Sequence, residues 1–201
     1  MRSNPDTTMN RLSKTDRNSL GLPIGFPVPN WKQALAPPRA PMLGVWCRLE
    51  PIDSQQHGDS LFEAFSEDTE NRIWIYLPYG PFENAAAFTR WIEKSCVGSD
   101  PLFHAIIDQS SDRALGVASY LRVNSAAGVI EVGHINYAPM LQKTAAGTEA
   151  MYLMMRRVFE ELGYRRYEWK CDALNAASRQ TAERLGMTFE GIFRQATMYK
   201  N

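Results

Sequence analysis

The clearest chemical feature of the sequence is a run of small and hydroxyl-bearing residues at 139–150, which reads PMLQKTAAGTEA. Small side chains at the start of a helix leave its backbone amides open, and these amides attract anions together with the helix dipole. A pyrophosphate suits such a site, with Lys143 and the hydroxyls of Thr144 and Thr148 as additional partners. The run lacks the Gly-Lys-Ser/Thr sequence of a Walker A loop. It is also typical of an ordinary loop before a helix that Thr148 caps, so both interpretations stay open.

A strand–helix–strand unit surrounds this run. Residues 129–137 have the pattern of a strand, and residues 147–162 carry a continuous apolar stripe at helical spacing that Gly163 ends. Residues 166–171 alternate strictly, with Cys171 on the apolar face, which indicates a buried structural cysteine. In sheets built from such crossovers, ligands favour the crevice beyond the strand ends.

The other elements predict an α/β (α+β) fold with a mixed, mostly antiparallel sheet and helices on both faces. We expect strands at 45–51, 103–108, 114–123 and 187–193, and helices at 54–65, 81–97 and from an Asn175 cap to Leu185. Turn residues at 124–128 indicate an antiparallel hairpin. Seven of the twelve prolines lie in the first 41 residues, which predicts an irregular arm at 1–43 before a folded domain at 44–201.

The composition excludes several classes of protein. Lys+Arg and Asp+Glu both number 22, whereas a dedicated nucleic-acid binder would carry a basic excess. The three cysteines form neither a CxxC pair nor a zinc ligand set, so we expect no metal and a reducing cytoplasm. We find neither an apolar run long enough to cross a membrane nor a signal peptide. We therefore expect no nucleic-acid or membrane partner, and a homodimer stays an open alternative.

Several short motifs resemble those of the GNAT acetyltransferases. Gln142, Ala145 and Gly147 occupy the positions of the family's acetyl-CoA motif, in which Gln or Arg is followed by two residues, Gly, any residue, then Gly or Ala. Upstream, INYAP at 135–139 resembles the strand and turn that precede this motif. Downstream, NAAS at 175–178 and RLGMTFEG at 184–191 resemble the family's next helix and the strand after it. The resemblance covers roughly residues 44–199 and is closest to the ribosomal-protein N-acetyltransferase (RimJ/RimL-like) branch.

This resemblance implies a GNAT-like sheet with a central βαβ acyl-CoA crossover. It also implies direct transfer of an acetyl group from acetyl-CoA to a primary amine, on a protein N-terminus or a small molecule, in a ternary complex. The backbone at 135–137 would run beside the pantetheine arm, and residues 65–82 would form the acceptor wall. The aromatic residues of that segment, Trp74, Tyr76, Tyr79 and Phe82, are equally typical of core packing. The implied cofactor residues are Ile135, Tyr137, Gln142, Lys143, Thr144, Ala145, Ala146, Gly147, Thr148, Asn175 and Ser178.

Proton transfer is the second requirement of such a reaction. A protein α-amino group, with a pKa of about 8, needs less help in losing its proton than a lysine, with a pKa of about 10.4. Glu131 is our candidate base, acting through water, and the alternative for it is a solvent-facing strand carboxylate. His134 is a second candidate base, but strand alternation predicts it on the face opposite Glu131, so both cannot point at one substrate, and a structural role is favoured for it.

Some residues depart from the family pattern. Ala182 stands where many members carry a Tyr that protonates the leaving thiolate, and Ala145 replaces the first Gly of the motif. Relatives continue past residues 199–200 into a strand between those at 166–171 and 187–193. We expect the last strand or a partner chain to fill that place, and an incomplete acceptor side is the remaining alternative. These departures keep a second hypothesis open, a catalytically degraded acyl-CoA-binding or partner-binding protein.

Overall fold

The computed structural model describes residues 16–198 and 200, and these residues fall into two contact units that divide after Lys32. In the first unit, β1 (Asp16–Arg17) and β2 (Pro23–Ile24) form a short antiparallel hairpin. Residues 1–15 of the predicted arm lie outside the described residues.

The second unit is built on a six-stranded sheet with the order β3-β4-β5-β6-β7-β8. Every neighbouring pair is antiparallel except β7 and β8, which are parallel. The predicted mixed, mostly antiparallel sheet and its βαβ crossover are therefore confirmed. The strands are β3 (Met42–Leu43), β4 (Cys47–Pro51), β5 (Leu102–Asp108), β6 (Ala114–Asn124), β7 (Val129–Tyr137) and β8 (Arg166–Trp169).

The described part of the chain has four α-helices beside the sheet, and a polar side chain caps the start of each one. They are α1 (Ser54–Ser66), α2 (Ala85–Ser95), α3 (Ala145–Arg156) and α4 (Ala176–Arg184), with the caps Asp53, Asn84, Thr144 and Asn175. α3 begins at Ala145, two residues before the predicted start at residue 147. Thr144 caps it, so the interpretation of Thr148 as the cap is wrong. The π-helical turn at Arg157–Glu161 continues α3.

The helices cover both faces of the sheet, as predicted. Phe103 of β5 meets Trp91 of α2, with 5.8 Å between the ring centroids. On the opposite face, the Tyr120 hydroxyl of β6 donates to the Met154 carbonyl of α3 at 2.8 Å. Because Phe103 pairs with Ser119, the neighbour of Tyr120, these two contacts lie on opposite faces of the sheet.

Residues 33–43 belong to the second unit and hydrogen-bond to distant parts of it. The Ala34 amide donates to Ser125, and the Leu35 amide donates to Leu162. The Arg157 guanidinium donates to the carbonyls of Ala40 and Pro41 at 2.7 and 2.6 Å. The arm boundary predicted after residue 43 stays a prediction, and these contacts favour a boundary near Lys32.

The strand predicted at 187–193 is wrong. A strand needs a hydrogen-bonded neighbour, and among the described residues nothing pairs with the outer edge of β8. Phe189, Ile192 and Phe193 are exposed there in irregular backbone. Since β8 ends at Trp169, Cys171 lies beyond it and is exposed, so its predicted buried role is wrong as well.

Candidate active site

β7 and β8 separate at the place where the sequence predicts the site. Their parallel pairing runs from Val129 and Arg166 to Val132 and Trp169, and among the described residues no pair follows. Beyond that point, β7 keeps β6 on one side and is open on the other over residues 133–137. The predicted residues Ile135 and Tyr137 lie in this open stretch. An extended ligand with amide groups can add to such an edge as a strand would.

A β-bulge lies at the start of the open stretch. Ser119 pairs with Gly133, and Val117 pairs with Asn136. Between these pairs, β6 has one residue, Ala118, whereas β7 has two, His134 and Ile135. His134 has a left-handed backbone with φ of 52°. Bulges of this kind re-aim side chains and are frequent beside active sites.

The bulge overturns the prediction that His134 and Glu131 lie on opposite faces. Glu131 pairs with Leu121, which shares its face with Ser119 and hence with Phe103. The His134 ring lies 4.9 Å from the Phe103 ring, on that same face. Side chains alternate between the two faces along a regular strand, but the extra residue in β7 shifts this alternation by one position. His134 therefore points to the face opposite to the one predicted.

The N-terminus of α3 presents unpaired backbone amides. The Thr144 hydroxyl accepts from the Gly147 amide at 3.0 Å, and the Thr144 carbonyl accepts from the Thr148 amide at 3.3 Å. Within residues 16–198, no partner accepts from the four amides of residues 143–146. Of the amides of residues 143–148 predicted to bind an anion, those of residues 143–146 are therefore free to donate, and those of Gly147 and Thr148 are engaged.

Gly147 joins this helix start to the end of β7. Its carbonyl accepts from the Tyr137 hydroxyl at 2.7 Å. A Cβ at this position would lie 2.7 Å from the Leu141 carbonyl oxygen and 3.0 Å from Cε2 of Tyr137, so a larger residue does not fit. Burial raises the pKa of Tyr137, which keeps its hydroxyl protonated as the donor. Gln142 adds a bond from Nε2 to the Tyr137 carbonyl at 3.1 Å.

Glu149 ties the first turn of α3 to the loop before β4. Its carboxylate accepts from the amides of Val45, Trp46 and Cys47 at 2.8, 2.7 and 2.9 Å. Burial acts to raise the pKa of Glu149, but these amide bonds outweigh burial and the pKa is lowered. Sequence reasoning missed this residue, because its partners lie about a hundred positions away. The joined segments line one cleft with Thr144, Ala145 and Ala146.

Glu131 is buried at the base of the gap, with 3% of its surface exposed. Oε1 accepts from Nη1 of Arg122 at 2.5 Å, and Oε2 accepts from Nζ of Lys170 at 2.6 Å. The alternative of a solvent-facing carboxylate is therefore wrong, while its role as the base stays a prediction. The two cations were missed, since no local spacing links positions 122, 131 and 170.

The predicted residues of α4 lie across the gap from β7. The Asn175 side chain accepts from the Ser178 amide at 3.1 Å, and the Ser178 hydroxyl accepts from Nε1 of Trp169 at 2.9 Å. These bonds fix the start of α4 to the end of β8. At the other end of α4, Nη1 of Arg184 donates to the Thr148 hydroxyl at 3.1 Å. Arg184 therefore brings a guanidinium beside the α3 N-terminus, which the sequence did not indicate.

The described residues contain neither a metal-binding cluster nor a membrane-spanning helix. No group of three or more His, Cys, Asp or Glu side chains among them is arranged to hold a metal ion. Of the helices in the described part of the chain, none is long and apolar enough to cross a membrane.

The chain is similar to two solved acetyltransferases over most of its length. A GCN5-related N-acetyltransferase from Brucella melitensis is 42% identical, with 86% of this chain and 78% of that chain covered and a TM-score of 0.84. A probable acetyltransferase of the GNAT family from Chromobacterium violaceum ATCC 12472 is 41% identical, with 89% of each chain covered and a TM-score of 0.81.

A more distant structure shares the fold. The Microcin C7 self immunity acetyltransferase MccE, in complex with acetyl-CoA and AMP, is 20% identical, with 78% of this chain and 86% of that chain covered and a TM-score of 0.66. No curated protein matches the chain significantly. The family model described as the acetyltransferase (GNAT) domain matches residues 47–188. The chain therefore belongs to the GNAT acetyltransferase family.

Proposed function

We propose that this protein transfers the acetyl group of acetyl-CoA to a primary amine on a protein N-terminus or a small molecule. One observation carries the proposal: the free side of β7 and the free amides at the start of α3 lie together at one end of the sheet. The free side of β7 at residues 133–137 suits the amide groups of pantetheine. The free amides of residues 143–146 suit the pyrophosphate, and Arg184 adds positive charge beside them.

Acetyl-CoA supplies the thioester, and the chain's own residues bind and orient it. Thr144, Gly147 and Tyr137 hold the α3 N-terminus against the end of β7. Asn175 and Ser178 fix the far wall of the gap through Trp169. Orientation of this kind favours direct attack by an amine bound on the open side, because both reactants are held in one geometry.

The leaving group needs little help from the protein. Ala182 carries no proton donor, at the position where the family pattern has a Tyr. A thiol has a pKa of about 8.5, so a CoA thiolate is a good leaving group near neutral pH. The absence of a hydroxyl at position 182 is therefore compatible with transfer.

An α-amino group is the acceptor that we favour. Its lower pKa leaves more of the reactive neutral amine at neutral pH than a lysine offers. The motifs shared with the RimJ/RimL-like branch support the same choice, and the proposal includes a cytoplasmic location. A homodimer stays a prediction that light scattering of the purified chain tests.

A second candidate function is acyl-CoA binding without transfer. Both oxygens of Glu131 already accept from cations, and position 182 carries no proton donor, which favours this alternative over catalysis by Glu131. The open edges of the site serve both candidates equally.

The test combines binding with transfer. Isothermal titration measures acetyl-CoA binding, and mass spectrometry then follows acetylation of peptides that begin with Ser, Ala or Thr and of small amines. Detection on the acceptor avoids the exposed Cys171, which would react with thiol reagents. Binding with acetylated product supports the enzyme. Binding without product from any acceptor leaves the second candidate, and no binding contradicts both.

A further inference from the structure

The three histidines of the chain have different surroundings, and only one is free to exchange a proton with a ligand. His57 is buried, with Nδ1 accepting from the Asp53 amide at 3.0 Å and Nε2 placed 3.1 Å from Glu50. His104 is fully buried, with neither ring nitrogen paired. His134 is half-buried, and no described residue hydrogen-bonds to its ring.

His134 lies where an acceptor would meet the thioester. It follows Val132, the last β7 residue paired with β8, by two positions, so it stands at the mouth of the gap. The bulge turns its ring onto the face covered by α1 and α2, where it stacks on Tyr79 with 5.6 Å between centroids. Tyr79 belongs to the segment from which we expect the acceptor wall.

The charges around His134 favour its neutral form. Burial, and then the positive charge of Arg122 on β6, lower the pKa of His134. Tyr79, the titratable group stacked on it, has a raised pKa because it is buried, and is a neutral phenol. Glu131 lies on the same face of β7, but Arg122 and Lys170 neutralise its charge. A neutral imidazole without a partner is able to accept a proton at neutral pH.

We propose that His134 is the base that takes the proton from the acceptor amine, and that Glu131 is a positioning residue that holds Arg122 and Lys170. This assignment rests on the proposed acetyl transfer. The geometry favours His134 because its ring nitrogens are unpaired at the gap, whereas both Glu131 oxygens are engaged.

In the proposed step, two protons leave the acceptor nitrogen. The His134 imidazole takes one proton from the ammonium group, and the nitrogen lone pair then forms a bond to the thioester carbonyl carbon. The carbon–sulfur bond breaks and CoA leaves as a thiolate. The second proton lost from nitrogen neutralises that thiolate, and the imidazolium proton passes to solvent. The products are the amide, CoA thiol and one proton.

Two variants separate proton transfer from packing. His134→Phe keeps an aromatic ring against Tyr79 and Phe103 but cannot accept a proton, and His134→Gln keeps polarity without basicity. We expect both to lower kcat by about a hundredfold or more, the usual contribution of a general base. We expect the acetyl-CoA affinity of both to match that of the wild type.

The pH profile is the decisive readout. In the wild type, kcat at saturating acceptor should fall as the pH drops through the lowered pKa of His134, because the imidazole becomes protonated. This limb at the pKa of His134 should be absent from both variants, in which kcat should instead follow the pKa of the bound amine, about 8 for an α-amino group. If the wild type acetylates an acceptor but His134→Phe keeps its rate and the same acidic limb as the wild type, the assignment is overturned while the proposed function stands. A wild type that acetylates no acceptor overturns both.

Discussion

Replacing Glu149 by Gln removes the anion that joins the first turn of α3 to the loop before β4. Oε1 of the carboxylate accepts from the Val45 amide and Oε2 from the amides of Trp46 and Cys47, at 2.7–2.9 Å, whereas Gln offers one carbonyl oxygen and turns an NH₂ donor toward the Val45 amide. A hydrogen bond to a charged group contributes about 1.5–3 kcal/mol, and a half-buried site lies at the low end. Gln keeps two bonds, from the amides of Trp46 and Cys47, and as bonds to a neutral group these are weaker, at about 0.5–1 kcal/mol each. We therefore expect a loss of about 3 kcal/mol in the free energy of unfolding.

Denaturant unfolding and calorimetry measure this loss. For a domain of this size, about 3 kcal/mol corresponds to a Tm roughly 6–12 °C lower. Because the pKa of Glu149 is lowered in the folded state, its stabilisation is complete above about pH 4.5 and disappears as the pH falls through the lowered pKa. The difference between Glu149→Gln and the wild type should therefore be constant at neutral pH and shrink in acid.

Glu160→Gln is the matched control. Glu160 is exposed on the turn that continues α3, and its replacement changes the net charge by the same amount. We expect this control to stay within about 0.5 kcal/mol of the wild type. Equal stability of Glu149→Gln and Glu160→Gln would refute the role of the carboxylate as an anchor for the three amides.

Three further predictions concern single side chains. Gly147→Ala should weaken acetyl-CoA binding in isothermal titration, because the added Cβ meets Leu141 and Tyr137. The control Gly98→Ala should bind normally, because its Cβ would lie 3.9 Å from the Pro101 carbonyl oxygen, an ordinary contact. A thiol reagent should modify one cysteine of the native chain, the exposed Cys171. Cys47 and Cys96 should not react, because burial raises the pKa of both thiols to about 12. Modification of more than one cysteine would contradict this. Burial, and then Arg157, lower the pKa of His104 from 6.5 to about 4, so stability should fall by roughly 3 kcal/mol as the pH drops across that window. Denaturant unfolding of His104→Leu should show a shallower slope, and an unchanged slope would contradict the assignment.

The sequence predicted those parts of the fold that local patterns determine. The apolar stripe at 147–162 and the turn residues at 124–128 identified the crossover helix and the β6–β7 hairpin, because periodicity and turn chemistry act over a few residues. The same local reasoning identified the loop at 139–150. The helix was predicted from residue 147 with Thr148 as a possible cap, whereas it begins at Ala145 and Thr144 caps it.

The failures arose where distant residues decide the outcome. One extra residue in β7 turns His134 onto the face of Glu131, and only the register against β6 reveals it. The ion pairs of Glu131 and the amide bonds of Glu149 join segments far apart in the chain. The pattern at 187–193 has the apolar residues of a strand, but no described neighbour pairs with it. Cys171 was predicted as buried because its alternation was extended beyond the end of β8.

Hydrogen–deuterium exchange with and without acetyl-CoA tests the central claim most directly, because it reports where the cofactor binds. We expect acetyl-CoA to slow exchange in two stretches, residues 133–137 on the open edge of β7 and residues 143–146 at the start of α3. The Gly147 amide, already bonded to Thr144, should change less. Slower exchange elsewhere with neither stretch affected would contradict the account of the site.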